Sequence, residues 1–144
     1  MAQWMKRTGM ALLLVAFSAT VACGDDDDDG GTEADRIGIG AACGVNEDCL
    51  DGQTCLLNFK GGYCGLKDCV GHTASCPEGS ICCPEGSVCV KHTDGVNYCF
   101  RVCQDKALDC NRNRPVDIES NCNGSGTFEA VEPYNGKACI PPSG

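Results

Sequence analysis

Fourteen cysteines fall between Cys43 and Cys139, a stretch of 97 residues. No other feature constrains the fold as strongly. The apolar residues between them are scattered and mostly single, with no heptad, no long amphipathic period and no run able to make a buried helix. Burial alone therefore cannot offset the ordering entropy of such a chain. Disulfides can, because each restricts the unfolded chain and contributes typically ~2–4 kcal/mol. Fifteen cysteines among 144 residues reach the level, roughly 10%, at which a short exported chain reads as a disulfide scaffold. The predicted fold class is a small disulfide-rich domain of short β-hairpins and loops with little helix.

The spacings contain an echo. Cys43-x5-Cys49-x5-Cys55-x8-Cys64-x4-Cys69 is answered by Cys76-x6-Cys83-x5-Cys89-x9-Cys99-x3-Cys103. Gly52-Gln53-Thr54-Cys55 corresponds to Gly86-Ser87-Val88-Cys89, and Tyr63-Cys64 to Tyr98-Cys99. Two related units are expected within residues 43–103, with Cys82 as the extra cysteine of the second. Adjacent Cys82 and Cys83 point different ways and are expected to join separate bridges. Cys110, Cys122 and Cys139 are sparser and mark 104–144 as a looser C-terminal lobe. Asp94-Gly95 between two β-prone segments predicts a type I′ hairpin. Gly61-Gly62 predicts a counterpart between Cys55 and Cys64, and Asn135-Gly136 a weaker third.

Upstream of the cysteines lies an address. Lys6 and Arg7 precede fourteen uncharged residues, Gly9 to Ala22. That run is shorter than the ~20 residues of a membrane-spanning helix, and with its basic flank and small-residue end it reads as a signal peptide over 1–22. The junction Thr20-Val21-Ala22-Cys23 resembles a bacterial lipoprotein signal, although Thr20 stands where that family usually has Leu, Ile or Val. The resemblance implies lipidation of Cys23, which leaves fourteen cysteines, an even number, for disulfides. Ordinary cleavage that leaves Cys23 as a free thiol, or an uncleaved anchor, are the alternatives. Residues 23–42 open with five aspartates (Asp25 to Asp29) and are expected to form an extended, solvated spacer. At ~3.3 Å per residue it reaches at most about 60 Å.

Written from Cys43 to Cys99, the framework is C-x5-C-x5-C-x8-C-x4-C-x6-C-x5-CC-x5-C-x9-C. It resembles the N-terminal cysteine-rich domain of the Dickkopf family, secreted antagonists of Wnt signalling. The shared features are the cysteine order, the adjacent pair in Ile81-Cys82-Cys83-Pro84, the acidic step Glu47-Asp48-Cys49 and the Gly52-x-x-Cys55 motif. The match covers 57 of 144 residues. It implies a disulfide fold that displays loops for extracellular binding. The second, colipase-like domain and the Asn-x-Ile motif of that family have no counterpart here, so the signalling role is not carried over.

Composition and motifs narrow the function. Removing residues 1–22 leaves 9 basic and 20 acidic residues, net −11, which argues against nucleic acid as a partner. There is no C-x-x-C, and His72 and His92 are twenty residues apart, so neither a zinc knuckle nor a redox motif is expected. Asn123-Gly124-Ser125-Gly126-Thr127 lacks the leading glycine of a nucleophile elbow and reads as a turn. No metal, cofactor or catalytic residue is expected. The predicted role is a non-catalytic, lipid-anchored cell-envelope protein, at the outer membrane or cell surface, that binds an extracellular protein or glycan. A purely structural coat or spacer is the alternative, and a secreted hydrolase or thiol-exchange enzyme a distant third. Tyr63, Tyr98 and Phe100 are the candidate binding residues. The competing reading is that the aromatics Phe59, Tyr63, Tyr98, Phe100, Phe128 and Tyr134 cap the disulfides as a miniature core. Arg101, Arg112, Arg114 and Lys106 are expected on a solvated surface, and His92 on an exposed hairpin.

Overall fold

The computed structural model describes residues 32–72, 76–124, 129–130 (backbone only) and 134–144. The signal segment, Cys23, the five aspartates and Phe128 lie outside the described residues. The described chain is a small, disulfide-rich, mostly β fold, as its cysteine spacing predicts. Nine short strands are β1 (Thr54–Cys55), β2 (Cys64–Gly65), β3 (Gly71–His72), β4 (Cys82–Cys83), β5 (Ser87–Lys91), β6 (Asn97–Cys103), β7 (Asn121–Asn123), β8 (Glu129–Ala130) and β9 (Lys137–Ile140). β1 pairs with β2 and β3 with β4; the remaining five form one sheet in the order β7-β9-β6-β5-β8.

Seven disulfides join Cys43–Cys55, Cys49–Cys64, Cys69–Cys89, Cys76–Cys82, Cys83–Cys99, Cys103–Cys122 and Cys110–Cys139. Cys82 and Cys83 do join separate bridges. Set aside Cys76–Cys82, and the other six fall into three frames of four cysteines, each closed first-to-third and second-to-fourth. In every frame the third and fourth cysteines are direct partners across an antiparallel ladder: Cys55 with Cys64, Cys89 with Cys99, Cys122 with Cys139. Cross-strand neighbours project to the same face, so each antiparallel strand pair offers two sulfurs side by side to the preceding segment. The repeat is thus threefold, and it starts at Cys43, Cys69 and Cys103 rather than at Cys43 and Cys76.

Two elements of the sequence reading change accordingly. Residues 104–144 are not a loose lobe, because β9 inserts between β7 and β6 and makes the third frame continuous with the second. The Asn135-Gly136 pair turns no β8–β9 hairpin: β8 crosses to the far edge and pairs with β5. The Asp94-Gly95 hairpin forms, but not as a type I′ turn. Gly95 alone has a positive φ (85°), its N–H donates to the His92 carbonyl, and His92 N–H donates to Val96 O. That is the three-residue loop in which a glycine takes the left-handed position.

The first and third frames share a device. The Asp48 carboxylate accepts the N–H groups of Gly44 (2.7 Å) and Val45 (3.1 Å). The Asp109 carboxylate accepts those of Gln104 and Asp105, both at 2.7 Å. Each aspartate immediately precedes its frame's second cysteine and ties down the two residues after the first. In the second frame that position is Cys82, and the first two cysteines are separated by an inserted loop.

The spacer reading is corrected from Thr32 onward. Thr32 and Asp35 form a capping box around the single turn Glu33–Arg36. Ala34 and Ile39 are buried in the core, and Ala34 N–H donates to Glu85 O at 2.8 Å. GTEAD has too little apolar surface to fold alone, but its one alanine and the isoleucine that follows find a prepared surface. Residues 32–42 are therefore a strap on the domain, not a linker.

Candidate functional site

The candidate binding aromatics come first. Tyr63, Tyr98 and Phe100 are 0%, 5% and 0% exposed. With Phe59, also buried, they form a cluster of edge-to-face contacts with ring centroids 5.2 to 5.9 Å apart, and Tyr98 and Phe100 lie tilted to each other at 6.0 Å. Side chains alternate along a strand, so Cys99 on β6 faces the bridges while Tyr98 and Phe100 face this core. Their interface role is corrected: they fill the space between frames, and a ligand cannot reach them. The polar ends are satisfied inside. Tyr63 accepts from Arg101 N–H at 3.3 Å, and Tyr98 donates to Asp94 at 2.9 Å. Burial raises both phenols above their ordinary range, and with the Asp94 carboxylate beside it Tyr98 is pushed up to about 12.

His92 is likewise not an exposed hairpin residue. Its side chain is 9% exposed, stacks edge-on against Phe59 at 5.3 Å, and has Nδ1 3.3 Å from Asp94.

The basic cluster also divides. Arg112 and Lys106 are exposed, as expected, but Arg114 and Arg101 are buried. Arg114 donates to the carbonyls of Lys60 (2.9 Å), Gly62 (2.8 Å), Gly40 (3.2 Å) and Ile118 (2.9 Å). One guanidinium thereby joins the strap, the first frame and the third. Arg101, on β6, pairs with Asp35 of the strap. Its pKa is lowered by burial and by Arg112, against the pull of Asp109.

Arg101 opens onto a surface cleft of about 570 Å³, whose walls are the strap (Thr32, Asp35), β6 and the segment after Cys103, and Tyr134 to Lys137. Asp109 stands in it with its pKa held down by the two backbone N–H groups. Tyr134 is the exposed aromatic of the described residues, 37% accessible, and its hydroxyl donates to Lys137 O at 3.0 Å. A second hollow of about 510 Å³ shares Asn135, Gly136 and Lys137. The cleft thus offers two cations (Arg101, paired with Asp35, and Lys137), three carboxylates (Asp35, Asp105, Asp109) and one aromatic face, a mixed hydrogen-bonding set suited to a hydroxyl- or amide-rich ligand rather than to an anion.

The sequence reading named Tyr134 and Arg101 but not their meeting, which depends on β9 pairing with β6. Lys137 carried no signal of its own. Of the cysteines, Cys43 to Cys139 all pair; Cys23 lies outside the described residues. The triplets of sulfur that come together, such as Cys69, Cys83 and Cys99, are held in bridges and offer no thiolate to a metal. Among the described residues no helix is long and apolar enough to cross a membrane.

Comparison with known protein families, curated proteins and solved structures finds no match to this chain.

Proposed function

We propose that this is a non-catalytic, lipid-anchored cell-envelope protein that displays its disulfide-stapled domain to bind an extracellular glycan or protein. The observation that carries the reading is the polar cleft beside Arg101, with Tyr134 at its rim. Its walls are pinned by Cys103–Cys122, Cys110–Cys139 and the strap, so little ordering entropy is lost on binding. Mixed hydrogen-bonding groups beside an aromatic face suit a sugar more closely than an anion.

Lipidation of Cys23 is part of the proposal. Thr32, the first described residue, is nine positions beyond Cys23, a stretch that reaches at most about 30 Å at ~3.3 Å per residue. The even count of paired cysteines supports Cys23 having another fate.

An intact mass of the protein from its native envelope tests the anchor: a start at acylated Cys23 with no free thiol is expected. Binding is tested on an array of envelope and host glycans, comparing wild type with Tyr134→Ala and Lys137→Ala. We expect a ligand whose affinity falls at least about tenfold in both variants, the scale of a lost aromatic anchor. Equal binding by both variants removes the cleft from the reading. A second reading, a coat or spacer protein, is favoured by the burial of four of the five described aromatics; it predicts no ligand for any of the three proteins.

A further inference from the structure

Six of the seven bridges belong to the three frames, and each of the six has at least one buried cysteine. Twelve cysteines fall into three clusters of four: Cys69, Cys83, Cys89 and Cys99, all buried; Cys43, Cys55 and Cys64, buried, with Cys49 partly buried; and Cys103, Cys110 and Cys139, buried, with Cys122 partly buried. Cys76 and Cys82 belong to none of them. Both are partly exposed, whereas every other bridge has at least one buried cysteine. Their bridge closes the shortest loop, a separation of 6 against 12 to 29 for the rest.

The loop they close is an insertion. In the first and third frames the first two cysteines are separated by five and six residues; in the second, Cys69 and Cys83 are separated by thirteen. Cys82 occupies the place held elsewhere by Asp48 and Asp109. Backbone bonds hold the same segment alongside the bridge: Val70 N–H donates to Ile81 O, and Ser80 N–H to Pro77 O. Cys83, the next residue, is held in the frame by its own bridge to Cys99.

We propose that Cys76–Cys82 is a thiol-exchange site, reduced and re-formed by an external dithiol while the three frames stay closed. Exchange needs access of a thiolate to a sulfur, and exposed bridges are the labile ones. One thiolate of the dithiol attacks a sulfur of the bridge, forming a mixed disulfide and releasing the other cysteine, which takes a proton. The second thiol of the dithiol then displaces the first cysteine. Cys76 and Cys82 end as thiols, the dithiol ends as a disulfide, and two electrons have passed. The partner implied is an exported dithiol protein or small dithiol, acting on this loop as its substrate.

Stepwise reduction of the full protein with dithiothreitol, with alkylation and peptide mapping at each step, tests this. The first two labelled cysteines should be Cys76 and Cys82, at a reductant concentration at least about tenfold below that needed for the other twelve. The near-ultraviolet signal of the buried tyrosines should be unchanged at that step, and the bridge should re-form with oxidised dithiothreitol. A Cys76→Ser/Cys82→Ser variant should keep the same tyrosine signal and lack the first step. Release of a frame cysteine first, or of all fourteen together, overturns the proposal. So does loss of the tyrosine signal with the first two labels. The order of labelling in the wild type decides the matter even if the double variant fails to fold.

Discussion

At the residue scale, buried polar groups supplement a small apolar core. Arg114 satisfies four carbonyls that belong to three separate parts of the chain, and its guanidinium lies 5.8 Å from the Tyr63 ring centre. Removing it strands those acceptors in a buried place, which is costlier than losing the bonds themselves. Arg114→Ala is expected to destabilise by on the order of 3 kcal/mol in urea unfolding with disulfides intact. Arg114→Lys should recover little, since an ammonium cannot reproduce the planar fork. Asp48 and Asp109 give a pH signature. Their carboxyls are held below the ordinary 3.8 by backbone N–H groups. A depressed folded pKa contributes stability above the unfolded value and loses it as pH falls through the folded one. Stability should therefore be level above about pH 5 from these groups and decline below 3.8 toward their lower folded values. Asp48→Asn/Asp109→Asn should flatten that acid limb, as followed by thermal melts from pH 2 to pH 6.

At the element scale, the unit is an antiparallel strand pair with two sulfurs on one face, clamped to the segment before it. Loop length sets what each bridge contributes through the unfolded chain. The 29-residue separation of Cys110–Cys139 gives about 3.5 kcal/mol and the 6-residue separation of Cys76–Cys82 about 2 kcal/mol on the chain-entropy estimate. Cys110→Ser/Cys139→Ser should thus lower the melting temperature more than Cys76→Ser/Cys82→Ser. The gap should exceed this difference, because the first pair lies buried beside β9 and the second does not. Equal melting temperatures contradict the assignment of Cys76–Cys82 as peripheral. The hairpins were legible from Gly61-Gly62 and Asp94-Gly95, since glycine alone supplies the left-handed backbone cheaply. Gly62 shows how tightly this is used: it has φ 65°, and a Cβ there meets Cys43 O at 2.0 Å. The turn type was not legible, because Asp94 keeps a negative φ and uses its side chain to accept Val96 N–H at 2.9 Å instead.

For the whole molecule, the strap fixes residues 32–42 onto the domain. Glu33 accepts Glu85 N–H at 3.0 Å, Asp35 meets Arg101, and Gly40 N–H donates to Cys64 O at 2.9 Å. Arg36 is exposed, yet its neighbours are fixed on both sides. Trypsin should leave the Arg36–Ile37 bond intact in the native protein and cut it once the disulfides are reduced, as read by mass spectrometry. Rapid native cleavage at Arg36 contradicts the strap. The strap also forms one wall of the cleft, so the contacts that hold residues 32–42 on the domain also shape the candidate site.

Cysteine count and spacing alone determined that this chain is a small disulfide-rich β domain, because its scattered apolar residues carry no periodicity from which a core can be read. They also showed a repeat, since sequence-local hairpins bring their own cysteines together. The starting cysteine of each repeat was decided only by tertiary structure: an inserted loop between Cys69 and Cys83 carries its own bridge, and no local signal tells an inserted cysteine from a frame cysteine. The fate of Tyr63, Tyr98, Phe100, His92, Arg101 and Arg114 was decided there too. Each can face solvent or core with equal local cost, and the choice is made by what packs opposite. The cleft arises the same way, from β9 reaching across to β6 and the strap folding back onto Arg101, contacts between residues far apart in the chain.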